Sequence, residues 1–480
     1  MLKLLTHKKS ILFICGIIFF LLTAFFSEGF YHGDEHFQIV EFAQFKLGKT
    51  AQVNLPWEFD AQIRPTMQPA IAMGIFHLCD LISITDPHSK AFVLRLITSI
   101  FAFSAIAIFL RSIKHLIKPS FQNWLIILSL FLWFIPFINV RFSSETWAGI
   151  TLLYGLSFLI REKRRQIHYI IAGLFIGFSF VFRFQMGFAI IGILLWLFIN
   201  QKSSFRCTLL FALSSALPIG LGTLLDTWFY GDFVFTPWNY FEYNIIQGVA
   251  SEFGTSPWYY YLFAVFRFSF FPIGILILLS LLKVTLTSPK NLIIWVVIPF
   301  IIFHSVVGHK ELRFLFPIAN LVPFLIVMAI QEIKWSPILI RFLLIGFIGI
   351  NSTLLISTSM IPAGNAETKT ARRLKKMKEN RPVAYFKDSN PYNPWGLNMY
   401  FYEPIQNAHQ IESIEDLKSL KIANPNALIC VRSKHLSEKD FQSAMKKLEL
   451  EVVDRSTPQW MNALFRVYGS KTDEYFTIVK

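Results

Sequence analysis

Residues 11–38, ILFICGIIFFLLTAFFSEGFYHGDEHFQ, join an apolar run to a cluster of acidic and histidine residues. The run at 11–26 carries no charge and follows Lys8 and Lys9. A membrane-spanning helix needs roughly 20 mainly apolar residues, and basic residues gather on its cytoplasmic side. Because no small-x-small cleavage signal follows, we expect an uncleaved first helix over about 10–28 rather than a signal peptide. The acidic segment after it is then outside.

The composition indicates that lipid surrounds most of the chain. Of the 480 residues, 54% are hydrophobic and 52 are Phe, and the mean hydropathy is +0.50. One soluble core of this length would not need so much apolar surface. The formal charge of +15 comes from short Lys and Arg clusters between apolar runs, as in proteins whose loops set membrane topology. We therefore predict a multi-pass membrane protein of mainly α class with no nucleic-acid partner.

Charge placement orders the apolar runs into about eleven predicted spans. The basic loops at 111–118 and 161–165 are placed inside, and the runs between basic loops alternate in direction. The amino terminus is predicted inside and the carboxyl terminus outside. The predicted spans are about 10–28, 91–110, 122–140, 146–160, 168–182, 186–200, 207–225, 259–282, 291–307, 312–331 and 338–358.

The apolar run at 69–84 does not fit this alternation. It is short, contains His77 and Asp80, and would reverse the direction of every later span. We therefore assign it to a membrane-associated part of a large first outer loop, 31–90. A further outer loop is expected over 226–257, and residues 1–361 are expected to form one transmembrane domain.

From residue 362 the composition becomes charged and soluble. Alternating hydrophobicity and one amphipathic stretch predict a small α/β domain outside the membrane, over 362–480. We find no catalytic motif in it, and a structural or acceptor-positioning role is the plainer interpretation. The alternating segments are 383–387, 427–432, 448–453 and 463–468, and the amphipathic stretch is 437–448.

The unusual polar groups all fall on the outer face of this topology. Ionisable groups near membrane depth are costly and usually mark a site, so their position on one face indicates a shared cavity. The five groups lie at 34–41, 141–145, 183–185, 226–244 and 309–313.

The first group contains adjacent carboxylates, Asp34 and Glu35. Either could be the general base that sugar transfer to a hydroxyl requires, because the nucleophile loses its proton in the transition state. Equally, the pair could be an acidic helix start after Gly33. His32 and His36 are four apart and could hold a metal, but no third ligand is clear, and the four scattered cysteines suggest no zinc site.

The last group, HKELRFLFP at 309–317, places His309, Lys310 and Arg313 at the start of an apolar span. Lys310 and Arg313 are three apart and could face one anion together, for which phosphate is the natural candidate. Interfacial anchoring, with a salt bridge to Glu311, explains the same residues. Arg183 could be a second phosphate partner.

For two further groups, the sequence does not distinguish a role in substrate binding from a structural role. In 226–244 aromatic residues alternate with hydrogen-bonding groups, which suits a sugar or a lipid head group and also an interfacial aromatic belt. Arg141 and Glu145 are four apart, which favours an ion pair within or between helices.

These segments resemble, in order, the signatures of glycosyltransferase family 22, the GPI-anchor and N-glycan mannosyltransferases that use dolichyl-phosphate mannose. The resemblance covers roughly 10–330, and its most specific part is the HKELRF segment. The matching segments are GDEHFQ at 33–38 with Glu41, PWE at 56–58 with Arg64, RFSSE at 141–145, DTWFYG at 226–231 with Asn244, and HKELRFLFP at 309–317.

The resemblance implies the GT-C fold and an inverting transfer from a polyprenyl-phosphate sugar to a glycolipid or glycan hydroxyl, without a metal or other cofactor. It implies Asp34 as the base supported by Glu35, and His309, Lys310, Arg313 and Arg183 around the donor phosphate. It implies substrate contacts from Gln38, Trp57, Arg141, Glu145, Asp226, Tyr230, Asn244 and Glu311.

The chain also departs from that pattern. The 141–145 segment lacks the Asn that the family carries after the Ser, and the chain lacks long eukaryote-type loops. We therefore expect a bacterial member in the inner membrane, with its site facing the periplasm or exterior and an undecaprenyl-phosphate donor. A transporter or flippase of lipid-linked sugars is the alternative function; it would share the spans and the cations, but we see no inverted repeat.

Overall fold

The computed structural model describes residues 2–200, 204–333, 336–363, 366–378, 381–457 and 475–480. The chain forms two compact units. The helical unit comprises Met1–Phe25, Trp57–Ile71 and Leu94–Met360. The sheet unit comprises Phe26–Pro56, Ala72–Val93 and Ile361–Lys480.

Helices that could cross a membrane confirm the multi-pass class. Four described helices are long and apolar enough, and a bent pair is a possible fifth span. The count of eleven is therefore not confirmed and stays a prediction. The four are Lys9–Phe26, Pro87–Leu116, Phe205–Tyr230 and Arg341–Met360; the pair is Leu312–Ala319 with Val322–Ile330, bent by 68°; shorter apolar helices are Gln166–Phe182, Phe184–Ile199, Phe271–Thr287 and Leu292–Val306.

Most of the α-helices up to residue 360 lie in the predicted apolar runs, and short helices also occur in the predicted outer loops. Their bounds are Leu2–Phe26, Gly33–Glu35, Glu41–Lys46, Met67–Leu81, Pro87–Ile113, Gln122–Phe131, Phe134–Asn139, Ser144–Leu159, Gln166–Phe182, Gly187–Ile199, Phe205–Tyr230, Thr236–Phe241, Tyr260–Phe268, Phe271–Thr287, Leu292–Val306, Phe316–Ala319, Val322–Ile330 and Pro337–Met360.

Three of the predicted spans are interrupted. The run 122–140 breaks after Phe131, the run 259–282 breaks near Phe270, and the run 312–331 bends after Ala319. Phe270 has φ +68°, a left-handed conformation that an α-helix cannot contain. The break after Ala319 is fixed by Asn320, whose side-chain amide exchanges hydrogen bonds of 2.8 and 3.0 Å with that of Asn139.

A helix extends past Asp226, where the predicted outer loop begins, and the position of that loop outside the membrane stays a prediction. The helix that begins at Phe205 continues to Tyr230 and ends at Gly231, which has φ +93°. Glycine adopts this left-handed conformation without steric cost, so it ends the helix there. Asp226 and Tyr230 therefore lie on a helix, not in a loop.

Small residues let the helices Gln166–Phe182 and Phe205–Tyr230 approach closely. A Cβ atom at Gly173 would lie 2.4 Å from the carbonyl oxygen of Phe211, and one at Gly177 would lie 2.3 Å from that of Ser215. Contacts this short require glycine at both positions. Such small-residue packing is common between membrane helices, where backbones gain dispersion contacts by close approach.

The helix Met67–Leu81 covers the run that we assigned to the first outer loop. It has 15 residues, which is short for a membrane span, and its position at the membrane stays a prediction. In the sheet unit, Asp80 accepts hydrogen bonds from Lys90 at 2.5 Å and Lys49 at 3.4 Å. The hydrogen bond from Lys90 is the main cause of a pKa of Asp80 below its ordinary value.

The carboxyl-terminal part of the sheet unit is the predicted α/β fold. Its mixed five-stranded sheet has the order β2-β1-β3-β5-β4, with β1 parallel to β2 and β3, and β5 antiparallel to β3 and β4. Its helices are Glu367–Met377, Ile414–Ala423, Ser433–Leu436 and Lys439–Lys447; its strands are β1 Val383–Phe386, β2 His409–Ile411, β3 Leu428–Arg432, β4 Val452–Arg455 and β5 Phe476–Val479.

The strands predicted at 383–387 and 427–432 and the amphipathic helix at 437–448 are confirmed. The strand predicted at 448–453 begins only at Val452, after Leu448 ends the preceding helix. The segment 463–468 lies outside the described residues. Strands β2 and β5 were not predicted.

Candidate active site

The acidic loop, residues 31–41, lies in the sheet unit and begins with a short helix at Gly33. The His32 Nδ1 atom lies 3.4 Å from the Asp34 amide nitrogen and 3.3 Å from Asp34 Oδ1. The Asp34 side chain is 23% exposed, so a substrate hydroxyl could reach it. Glu35 Oε1 accepts a hydrogen bond from the Tyr31 amide at 3.2 Å. Both acids thus lie in the first turn of a helix. This position fits both interpretations from the sequence, a general base and an acidic helix start.

A buried hydrogen bond between His36 and Glu41 supports the acidic loop that contains Asp34. His36 Nε2 lies 2.9 Å from Glu41 Oε1, and both side chains are at most 2% exposed. Glu41 also accepts hydrogen bonds from the Phe401 amide at 2.9 Å and from the Thr50 hydroxyl at 3.2 Å. A buried carboxylate with three partners is well compensated, so Glu41 is a rigid support for the loop.

The imidazole of His36 is enclosed by aromatic rings. It stacks on Phe30 and Tyr402, with centroid distances of 5.4 Å to each, and Gln38 is buried in the next turn. His32 and His36 therefore contact different carboxylates, Asp34 and Glu41. In the described part of the chain no group of three or more His, Cys, Asp or Glu side chains could hold a metal ion.

The basic cluster is in the helical unit and comprises Arg183, His309, Lys310 and Arg313 with Glu145 and Glu311. Glu145 Oε1 accepts hydrogen bonds from Arg183 Nη1 at 2.8 Å and Arg313 Nη1 at 3.0 Å. Arg313 also binds Glu311 through Nε at 2.7 Å and Nη2 at 3.1 Å, and His309 Nε2 lies 3.0 Å from Glu311 Oε1. Residues that are distant in sequence thus form one continuous charged network.

Lys310 uses different partners from the rest of the basic cluster. Its ammonium group donates hydrogen bonds to the carbonyl oxygens of Ser256 at 2.7 Å, Gly308 at 3.3 Å and Val307. The side chain is 6% exposed, and burial lowers the pKa of Lys310 below its ordinary value. Carbonyl dipoles stabilise the cation without neutralising its charge, so Lys310 keeps a positive charge available.

Arg183 also keeps hydrogen-bonding capacity. Its Nε atom is buried and makes no hydrogen bond to any described part of the chain. Its guanidinium carbon lies 4.9 Å from the centroid of the Phe314 ring, and that of Arg313 lies 5.3 Å from it. Phe314 therefore holds both guanidinium groups near each other.

Arg141 is almost fully buried, at 1% exposed. Its guanidinium carbon lies 5.6 Å from the centroid of the Phe137 ring. The ion pair between Arg141 and Glu145 stays a prediction, while Arg183 and Arg313 are observed partners of Glu145.

Asp226 and Tyr230 hold the chain around residues 64–66. Asp226 accepts hydrogen bonds from the Thr66 amide at 2.8 Å, the Thr66 hydroxyl at 2.6 Å and the Thr236 hydroxyl at 2.5 Å. The Tyr230 hydroxyl donates to the carbonyl oxygen of Arg64 at 2.8 Å. These contacts give both residues a positioning role that neither local motif reveals.

The aromatic segment 226–257 brings Trp57 and Asn244 into one region of the helical unit. Trp57 stacks on Phe253 with a centroid distance of 6.4 Å and lies 6.3 Å from Tyr243. Asn244 Nδ2 donates to the carbonyl oxygen of Tyr240 at 2.9 Å. The Trp57 side chain is half-exposed, which leaves it accessible to a substrate.

The predicted site residues thus fall into two groups. The helical unit brings together Arg183, Glu145, Arg313, Glu311 and His309, with Lys310 next to them in sequence. Asp34, Glu35 and Gln38 belong to the sheet unit. The anchoring contacts of Glu41 and Thr66 were not predicted from the sequence, because the residues that they contact are distant in the chain.

Residues 11–392 match the family model described as the Alg9-like mannosyltransferase family. The chain belongs to this family. The Alg9-like chain is 27% identical over 344 residues to GPI mannosyltransferase 3 of Candida albicans, covering 70% of this chain and 66% of that protein. It is 25% identical over 320 residues to mannosyltransferase APTG1 of Arabidopsis thaliana, covering 64% and 56%. The matches therefore span less than two thirds of each relative.

Solved structures confirm the fold of this Alg9-like protein. ArnT from Cupriavidus metallidurans bound to undecaprenyl phosphate superposes with a TM-score of 0.54 at 10% identity, over 98% of this chain and 97% of that chain. The Archaeoglobus fulgidus oligosaccharyltransferase tethered to an acceptor peptide gives 0.50 at 12% identity, over 92% and 71%. The GT-C fold is therefore confirmed, and the transporter alternative gains no support from these matches.

Proposed function

We propose that this chain transfers a mannosyl residue from a polyprenyl-phosphate donor to a hydroxyl of a glycolipid or glycan. The observation that carries the proposal is the set of three buried cations, Arg183 and Arg313 paired with Glu145 and Lys310 held by backbone carbonyls, in a chain of the Alg9-like family. Buried cations of this kind are the usual means of holding a phosphate. The names of the relatives, GPI mannosyltransferase 3 and mannosyltransferase APTG1, support mannose as the sugar.

The charge of the basic cluster suits this donor. Three cationic side chains and two carboxylates, Glu145 and Glu311, leave one excess positive charge. A polyprenyl-phosphate sugar is a phosphodiester with one negative charge, and the leaving polyprenyl phosphate gains a second. A site with fixed positive charge stabilises that developing charge and accelerates departure of the phosphate.

Arg183 and Lys310 are the groups that we expect to bind the phosphate first. Each has donor capacity or charge that no carboxylate neutralises, as the contacts of the two side chains indicate. Arg313 and His309 share Glu311 and so tie the cluster together. Their hydrogen bonds to Glu311 would shift toward phosphate when the donor binds.

In the proposed reaction, Asp34 takes the proton of the acceptor hydroxyl while the oxygen attacks the anomeric carbon. The bond from that carbon to the phosphate oxygen breaks, and a β-linked donor yields an α-mannoside. Glu35 shapes the turn that presents Asp34, through its bond to the Tyr31 amide. Glu41 and His36 hold the loop from behind.

The remaining predicted contacts divide into substrate contacts and structural supports. We propose Trp57, Asn244 and Gln38 as substrate contacts, and Arg141 as a buried support for the start of the 141–145 segment. Asp226 and Tyr230 position Arg64 and Thr66, and we propose that they act on substrate through those residues.

We also propose a bacterial inner-membrane location with the site facing the periplasm. Undecaprenyl phosphate, which is bound in the ArnT structure, is then the natural carrier of the sugar. Single cysteines placed at the exposed positions 60 and 232 of the predicted outer loops should react with an impermeant maleimide added outside, whereas one at 163 should not. Labelling of position 163 from outside would contradict the orientation.

The direct test uses purified protein in nanodiscs with radiolabelled undecaprenyl-phosphate mannose and octyl α-mannopyranoside as the acceptor. We expect label in the acceptor, and none when GDP-mannose replaces the lipid donor. Arg183→Gln should raise the KM for the donor roughly 10- to 100-fold, because a charge-assisted hydrogen bond is lost. Arg111→Gln, an exposed arginine outside the cluster, is the matched control. Transfer from GDP-mannose alone would overturn the proposed donor.

A further inference from the structure

The loop from Tyr392 to Met399 in the sheet unit exposes the indole of Trp395, while the residues at both ends of the loop are buried. Tyr392 is 1% exposed and Met399 is fully buried, and the Met399 amide donates to the Tyr392 carbonyl oxygen at 2.8 Å. Asn393 Nδ2 donates to Asn398 Oδ1 at 2.7 Å and closes the loop a second time. Trp395, at the tip, is 64% exposed.

The backbone of Trp395 is held in an unfavourable conformation. Its φ is +56° and its ψ is +23°, the left-handed region that residues with a Cβ atom rarely adopt. Most of the indole is exposed, so burial of the ring does not offset the strain. Strained residues that a rigid loop maintains occur most often at ligand-binding sites.

Trp395 lies against the start of the acidic loop. Its ring centroid is 6.0 Å from that of Phe30 and 6.4 Å from that of Phe37. A Cβ atom at Gly33 would lie only 3.0 Å from Trp395 Cζ3, so glycine at this position lets the indole lie over the backbone. The next residue is Asp34. The indole therefore packs on the residue that precedes the proposed base in the chain.

We propose that Trp395 is the platform on which the sugar ring of the acceptor stacks. This inference rests on the proposed function, because it assigns the acceptor to the Asp34 side of the reaction. A pyranose has one face of C–H groups, which packs on an aromatic ring, and a rim of hydroxyls, which suits amide side chains such as Asn393 and Asn398.

The position of Trp395 in the chain fits a role in acceptor choice. The family match ends at residue 392, so the loop is contributed by the part of the chain beyond that match. Donor chemistry is carried by residues within the match, such as Lys310 and Arg313. An aromatic ring from outside the match, packed on Gly33 next to Asp34 in sequence, would adapt the shared reaction to the acceptor of this chain.

An exposed tryptophan can also be an interfacial lipid anchor, and the test separates the two roles. In nanodiscs, where no glycosidic detergent competes, Trp395→Ala and Trp395→Leu should raise the KM for octyl α-mannopyranoside about tenfold, as expected for loss of one aromatic contact. The KM for undecaprenyl-phosphate mannose should stay unchanged. Trp395→Phe should recover most of the acceptor affinity, because it restores a flat ring.

Trp258→Ala is the matched control, since Trp258 is 70% exposed and lies in the helical unit. It should leave both KM values unchanged. Trp395→Leu keeps apolar bulk against Phe30 and Phe37, so it guards against a folding defect of the alanine variant. An acceptor KM within twofold of wild type for Trp395→Leu would overturn the proposal and leave the lipid-anchor role.

A binding measurement separates this inference from the proposed function. Titration calorimetry of octyl α-mannopyranoside compares the Asp34→Asn protein with the Asp34→Asn/Trp395→Leu protein, and neither needs turnover. Weaker binding by the double variant supports Trp395 even if wild type transfers no mannose. Equal behaviour of the two proteins, including no binding by either, overturns the proposal whatever the transferase assay shows.

Discussion

Glu145→Gln is the change that most severely tests the basic cluster. The Glu145 carboxylate is 3% exposed, and one of its oxygens accepts hydrogen bonds from Arg183 at 2.8 Å and Arg313 at 3.0 Å. Glutamine keeps the shape but removes the charge, so two buried guanidinium groups lose a common counter-ion. Breaking a buried ion pair in this way costs about 3–5 kcal/mol.

A surface pair gives the matched control. Lys118 lies 2.8 Å from Glu332, but the two side chains are 49% and 58% exposed. Such pairs contribute about 0–1 kcal/mol, because water and salt screen them. Glu332→Gln should therefore have little effect. The double variant Glu145→Gln/Arg183→Gln should be more stable than Glu145→Gln alone, because it removes one of the uncompensated charges.

The free energy of unfolding can be compared by SDS titration in mixed micelles, followed by tryptophan fluorescence and circular dichroism. The expected order is Glu332→Gln closest to wild type, then the double variant, then Glu145→Gln. If Glu145→Gln were no less stable than Glu332→Gln, the charged network would not be the buried structure described here.

Three further changes probe other supports of the site. Glu41→Ala should increase hydrogen exchange of the Phe401 amide, because its acceptor is lost; unchanged protection at Phe401 would contradict that anchoring role. Asp226→Ala should lower the free energy of unfolding by about 1–3 kcal/mol, because buried donors including the Thr236 hydroxyl lose their acceptor, and SDS titration measures it; wild-type stability would count against the contact. Burial lowers the pKa of Lys310, so the KM for the lipid donor should rise with pH through that lowered pKa as the charge is lost. Lys310→Arg should remove this alkaline rise in initial-rate assays, and the same rise in both proteins would exclude Lys310 as its cause.

The residues that could be predicted from sequence are those whose signal is local. Runs of apolar residues predicted the helices, and the HKELRF segment contains most of the residues of the basic cluster. The partners of Glu145 could not be predicted in this way, because Arg183 and Arg313 are 38 and 168 residues away. Local spacing pointed instead to Arg141, which lies four residues from Glu145.

Hydropathy could not predict the helix breaks either. The residues at two of the breaks, Trp133 and Phe270, are as apolar as the helices on either side, so a hydropathy window sees no interruption. The break near Phe270 is a backbone property, a positive φ just before Pro272. The helix end at Gly231 carried a usable signal, since glycine commonly ends helices.

The measurement that tests the account most directly is the kcat of Asp34→Asn for mannose transfer from undecaprenyl-phosphate mannose in nanodiscs. Loss of a general base should lower kcat by about 10²- to 10⁴-fold, with the donor KM unchanged. Asp60→Asn, which removes an exposed carboxylate of the same predicted outer loop, should keep the wild-type rate. Transfer by Asp34→Asn at the wild-type rate would contradict the assignment of Asp34 as the base.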